Sequence, residues 1–115
     1  MRAADFPYLA TPTPLALAHR GGAKLAENAG LENTLVAFGR AVAMGYRYLE
    51  TDVHATRDGH VVAVHDPRLD RVTDATGAVA DLPWEAVAAA RIGGSEPVPL
   101  LADLLEAFPD ARLNI

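Results

Sequence analysis

Two carboxylates stand two residues apart in Glu50-Thr51-Asp52, and the chain then runs through Asp58-Gly59 to a histidine at 65. On an extended strand, side chains at i and i+2 point the same way. Glu50 and Asp52 therefore repel each other unless a cation lies between them or water screens them. Oxygen ligands of this kind suit a hard ion, Mg2+ or Ca2+, better than zinc. An ordinary solvated pair on an exposed strand face accounts for the same spacing. Asp-Gly between two extended runs is a strong hairpin signal. As a two-residue loop it sets Val53 opposite Val64 and Ala55 opposite Val62 on one apolar face. The other face then carries Glu50, Asp52, His54 and Thr56 with Val61, Ala63 and His65, and Asp52 lies directly across from His65.

The histidines differ in their surroundings. His19-Arg20 closes an apolar run and enters Gly21-Gly22, and the carboxyl ends of parallel strands are where catalytic groups collect. His65 earns its place from the hairpin register. His54 and His60 read as rim, packing or exposed residues. Locally, Glu32 reads as a helix-start charge at the positive end of a helix dipole, with a role in the site as the alternative.

These groups need elements to hold them. Residues 1–14, with prolines at 7, 12 and 14, read as an irregular lead-in held extended. The apolar run 15–18 predicts a buried strand, and 21–31 a loop. A helix opens at Asn33 or Thr34, carries Leu35, Phe38, Ala41 and Val42 at helical spacing, and ends at Gly45 as its C′ residue. The stretches 46–56 and 60–65 are extended, and the segment from Asp66 to Gly77 is a polar loop. A short helix is expected over 84–91, capped near Asp81 or started at Pro83, then a loop containing Gly93-Gly94, Pro97 and Pro99. Leu101, Leu104, Leu105 and Phe108 mark another helix stopped by Pro109, and 112–115 begin a strand. Strand and helix alternate, which is the α/β pattern of a parallel sheet or barrel.

Composition narrows the function. The 115 residues suffice for one domain, and a chain half hydrophobic with 22% charged residues is globular rather than disordered. A formal net charge of −5 offers no basic surface for nucleic acid. The absence of cysteine excludes disulfides, thiolate metal sites and Cys nucleophiles. The apolar run 15–18 is shorter than a signal-peptide core of about 7–15 residues, and nothing approaches the roughly 20 apolar residues of a membrane span. A cytoplasmic protein without stable membrane insertion is expected.

Taken in order, His19-Arg20-Gly21-Gly22, Glu32-Asn33-Thr34, Glu50-Thr51-Asp52-Val53, Asp58-Gly59 and His65-Asp66 resemble the signature of the glycerophosphodiester phosphodiesterases. Leu69-Asp70-Arg71-Val72-Thr73 and Pro97-Val98-Pro99-Leu100 are similar to that family too, and the likeness covers residues 15–115. Leu31 departs from it, standing where a proline often precedes the Glu. The resemblance implies the first part of a TIM-type (β/α)8 barrel, with a hairpin and small insertion after strand 2. Such barrels need about 250 residues, so residues 1–115 are expected to be a truncated, partial domain whose third metal ligand lies outside the sequence. The implied activity of the full-length parent is metal-dependent hydrolysis of a small-molecule glycerophosphodiester to glycerol 3-phosphate and an alcohol. By resemblance, Glu50 and Asp52 bind a divalent cation, Mg2+ or Ca2+. His19 and His65 serve as general base and acid, Arg20 holds a phosphate oxygen, and Glu32 supports the site. The competing readings are an inactive fragment or cation-binding module, and a related barrel phospholipase of sphingomyelinase-D-like or phosphatidylinositol-specific type.

Overall fold

In the computed structural model, which describes residues 1–12 and 14–115, the backbone is organised around a three-stranded parallel sheet. Strands β1 (Leu17–Ala18), β2 (Tyr48–Glu50) and β7 (Arg112–Asn114) lie in the order β1-β2-β7. Leu17 pairs with Tyr48, and Glu50 with Asn114. Helix α1 (Leu35–Ala43) follows β1, and α3 (Leu101–Ala107) precedes β7. Parallel neighbours need such crossovers, because a tight turn cannot reverse the chain twice.

The caps of α1 are written locally. Thr34 Oγ1 accepts the Ala37 N–H at 3.1 Å and its hydroxyl donates to the Leu31 carbonyl at 2.8 Å, satisfying a donor the helix cannot reach. At the other end the N–H of Gly45 donates to Val42 O and that of Tyr46 to Ala41 O. This is the pair of bonds that closes a Schellman end, with Gly45 at C′ as expected. The helix buries Ala37, Phe38 and Ala41 against Ala18, Leu49, Ala63 and Leu104.

A second core lies under the insertion, where Val62, Val64, Leu69, Val79, Val87, Ala90, Ile92 and Val98 are buried together. Strand β4 (Val61–Ala63) therefore serves both cores, Ala63 facing the first and Val62 the second. It pairs antiparallel with β3 (Val53–Ala55). Helix α2 (Trp84–Ala89) starts at Pro83 as its N-cap residue. Asp58 Oδ1 accepts the Trp84 N–H at 2.9 Å; Asp81 does not cap it and ends a 3-10 turn, Val79–Asp81. Arg91 lies beyond this helix, in a small ladder of β5 (Arg91–Ile92) with β6 (Glu96–Pro97) where a loop was expected.

Further expectations are corrected. The buried strand predicted over 15–18 narrows to Leu17–Ala18, of which only Ala18 is buried, and the single extended run over 46–56 divides at Thr51-Asp52 into β2 and β3. The lead-in is not extended: Ala3–Asp5 and Pro7–Leu9 form 3-10 turns, while Thr13 lies outside the described residues. Tertiary contacts hold it. The Tyr8 hydroxyl donates to Leu113 O at 2.9 Å, its ring meets that of Tyr48 edge-on, and Arg112 donates to the carbonyls of Tyr8 and Ala10.

The hairpin register is also shifted by one residue. Val53 faces Ala63, His54 faces Val62 and Ala55 faces Val61. The loop holds three residues, 57–59, closed by Thr56 N–H to His60 O at 2.8 Å and Gly59 N–H to Thr56 O at 3.0 Å. The Thr56 hydroxyl fixes this choice, accepting the His60 N–H and donating to Asp58 Oδ1, while Gly59 takes φ +88°, the positive value such a loop demands. Asp52 thus opposes Val64, whose N–H donates to Asp52 O at 3.0 Å, and His65 is not its partner. No helix among the described residues is long and apolar enough to cross a membrane.

Candidate active site

The site begins where β1 ends. His19–Gly21 form one tight turn in which Arg20, at φ 49°, and Gly21, at φ +74°, both adopt left-handed backbone. A non-glycine residue held there is strained by about 1–3 kcal/mol and needs surroundings that over-determine it. Those surroundings are visible. The Arg20 N–H donates to Glu50 Oε2 at 3.0 Å, and its carbonyl accepts the Asn33 N–H at 2.9 Å. Buried Asn28 directs its amide at the carbonyls of Gly21, Gly22 and Ala37.

A Cβ on Gly21 would lie 3.1 Å from the Phe38 ring, which would have to yield by a few tenths of an ångström. Gly21→Ala should lower stability by at least the roughly 1–2 kcal/mol of left-handed strain. The expected readout is a lower urea midpoint with an unchanged m-value.

Glu50 closes β2 beside this turn, with Oε2 3.9 Å from His19 Nε2. Arg20 Nη1 lies 3.7 Å from Glu32 Oε2. His19, Arg20, Glu32 and Glu50 are therefore brought together. Asp52 follows one residue beyond Thr51, whose hydroxyl lies 3.0 Å from Asn33 Oδ1. Three polar side-chain atoms among the described residues are buried without a hydrogen-bond partner: Arg20 Nε, Asn33 Nδ2 and Asp52 Oδ2. All three belong to this region. Orphaned buried groups are rare and costly, and here they comprise two donors and one anionic acceptor. An anion beside Arg20 and a hard cation beside Asp52 match that donor set. Two carboxylates, Glu50 and Asp52, would make only part of a cation shell, and among the described residues no group of three or more acidic or histidine side chains could hold a metal ion.

His65 reaches the site through a different set of partners. Its Nδ1 lies 2.8 Å from Asp66 Oδ1. Hydrogen bonds from Arg71, then from His65, hold the Asp66 carboxyl far below the ordinary carboxylate range. An ionised carboxylate only accepts, so in this contact His65 Nδ1 is the donor. His54 Nε2–H donates to the carbonyl of His65 at 2.9 Å, which makes His54 a support. His60 stacks on Trp84, away from these groups.

Sequence reasoning missed Asn28 and the roles of Asp66 and Arg71. Asn28 sat in a stretch without periodicity. Arg71 meets Glu32 across 39 residues, and no local pattern reports such a contact.

The sequence profile of the Glycerophosphoryl diester phosphodiesterase family matches residues 19–115. A Mycobacterium tuberculosis protein called "Probable glycerophosphodiester phosphodiesterase 2" is 45% identical over 88% of this chain and 37% of its own length. The human "Lysophospholipase D GDPD1" is 38% identical over 86% of this chain and 34% of its own. Among solved structures, an Oleispira antarctica phosphodiesterase in complex with the product sn-glycerol-3-phosphate superimposes with a TM-score of 0.78. It is 30% identical and covers 88% of this chain and 43% of that protein. The chain thus spans well under half the length of these relatives. Its sheet, helices, hairpin and insertion are the first part of a TIM-type barrel. With the profile covering nearly all of the sequence and these relatives in accord, the chain belongs to the glycerophosphoryl diester phosphodiesterase family.

Proposed function

We propose that the whole protein hydrolyses glycerophosphodiesters to glycerol 3-phosphate and an alcohol, and that residues 1–115 supply part of its catalytic centre. The observation that carries this reading is the junction of β1 and β2. There the Arg20 N–H is fixed to Glu50 at 3.0 Å, His19 stands 3.9 Å from the same carboxylate, and Arg20 keeps a buried, unengaged Nε.

A phosphodiester is an anion that repels nucleophiles, so charge neutralisation is the first requirement. Glu50 and Asp52 would hold a divalent cation, Mg2+ or Ca2+, which would supply Lewis acidity and neutralise developing charge on the phosphate. Arg20 binds a phosphate oxygen through its guanidinium. His19 takes a proton at Nε2 from the attacking hydroxyl. His65, acting as the imidazolium with its Nδ1–H held by Asp66, gives its Nε2 proton to the departing alkoxide and is left neutral. Glu32 orients Arg20.

The test is choline release from glycerophosphocholine by the full-length protein, with Mg2+ or Ca2+ and after chelation by EDTA. Release that EDTA abolishes and added cation restores is expected. Release indifferent to EDTA counts against the carboxylate assignment, and no release from any glycerophosphodiester sinks the reading. Lysophosphatidylcholine belongs in the same assay, because the human relative is called a lysophospholipase D. Cleavage of it alone would make the substrate a lysolipid.

A further inference from the structure

Arg71 joins the two arms of the site. Its Nε and Nη2 donate to Asp66 Oδ2 and Oδ1 at 2.8 and 3.0 Å, and its Nη2 and Nη1 donate to Glu32 Oε1 and Oε2 at 2.6 and 3.2 Å. Both carboxylates are held by two hydrogen bonds from one planar guanidinium. Beyond them stand His65, on Asp66 Oδ1, and Arg20, 3.7 Å from Glu32 Oε2. The chain Arg20–Glu32–Arg71–Asp66–His65 alternates in charge from the phosphate-binding arginine to the histidine assigned as general acid.

We propose that Arg71 is a positioning residue that sets the phosphate-binding arm and the proton-donating arm in one geometry. This inference rests on the roles given above to Arg20 and His65. Arg71 acts on Arg20 by occupying Glu32. With both Glu32 oxygens engaged by Arg71, the contact to Arg20 stays long and Arg20 keeps donors for an anion. Released from Arg71, Glu32 would close on Arg20 and compete with the substrate phosphate. Arg71 acts on His65 by fixing both oxygens of Asp66, which keeps Oδ1 directed at Nδ1.

The insertion is built to deliver this guanidinium. Leu69 is buried in the second core, its N–H donates to Gly77 O, and its carbonyl accepts from both the N–H and the hydroxyl of Thr73. Arg71 is thereby pinned on both sides in sequence. Its side chain is half exposed, whereas those of Glu32 and Asp66 are only 15% and 24% exposed. An isolated surface pair of that exposure would matter little. Four hydrogen bonds to two largely covered carboxylates give a rigid fork that a lysine ammonium cannot reproduce.

The test uses full-length protein with Arg71→Lys and Arg71→Met, and Asp66→Asn and Glu32→Gln as partners. Arg71→Lys is expected to lower kcat/KM by about 10–100-fold, the range for losing a group that orients a reacting one. The loss should divide into a higher KM, through Arg20, and a lower kcat, through His65. In the Glu32→Gln/Asp66→Asn background, Arg71→Met should add almost nothing. Wild-type kinetics in Arg71→Lys, or a full additional loss in that background, would overturn the proposal.

A second measurement does not depend on turnover. In metal-free protein at alkaline pH, where imidazoles are neutral, 15N NMR should report His65 as the Nδ1–H tautomer in wild type and as a mixture in Arg71→Lys. An unchanged tautomer overturns the His65 arm even if the hydrolytic reading fails. Absence of wild-type turnover with the tautomer shift present would instead fault that reading alone.

Discussion

His65→Ala is expected to lower kcat for glycerophosphocholine by about 10²–10⁴-fold, the usual contribution of a positioned general acid. The reason lies in the leaving group. Choline departs as an alkoxide, and a strongly basic alkoxide needs a proton as the P–O bond breaks. In its imidazolium form His65 can give one, because Asp66 engages the Nδ1–H and the Nε2–H is the proton left to transfer. A p-nitrophenyl ester of glycerol phosphate relieves that need, because p-nitrophenolate leaves unprotonated. The His65→Ala defect should therefore shrink by an order of magnitude or more with this substrate. The His19→Ala defect should not shrink, since a base acting on the nucleophile is indifferent to the leaving group. Equal defects of His65→Ala on both substrates would remove His65 from the acid role. A shrinking defect in His19→Ala would exchange the two assignments.

Helix α1 was legible because its boundaries are chemical: Thr34 caps one end and Gly45 closes the other, both within reach of local bonds. The hairpin register was not legible. Its expected pairing relied on one buried and one polar face, yet Val62, Ala63 and Val64 are all essentially buried, so alternation in β4 carried no register signal. The choice fell to the Thr56 hydroxyl, which selects a three-residue loop. His19, Arg20, Glu32 and Glu50 do converge; His19, Arg20 and Glu32 sit at the end or start of elements that sequence reading located, whereas Glu50 ends a strand that the sequence reading ran on through 56. The link from His65 to the others was invisible because it passes through Arg71, a residue of the insertion loop. Glu32 shows how tertiary context overrides a sound local reading. It precedes a helix start, where a negative charge is favourable, but its oxygens are taken by Arg71 and Arg20. The lead-in failed for the same kind of reason: Pro7 opens a turn instead of an extended run, and contacts with Tyr48 and Arg112 hold the segment.

Asp52→Asn separates function from stability. Asp52 Oδ2 is buried without a hydrogen-bond partner, and an anionic oxygen in that state is more costly than a neutral one. Metal-free Asp52→Asn should therefore unfold in urea at the same concentration as wild type or a higher one. Activity should move the other way. Weakening an outer partner of a metal ligand typically costs about 10–100-fold, so changing a proposed ligand itself should cost at least about 100-fold in kcat/KM. Added Mg2+ or Ca2+ supplies the discriminating measurement. A cation that binds only the folded protein stabilises it by about 2.7 kcal/mol at a hundredfold excess over Kd. Wild type should show that gain and Asp52→Asn should lose most of it, reversing the order of stability when cation is added. An equal gain in both proteins would place the cation elsewhere and leave the buried oxygen of Asp52 without a role in binding it.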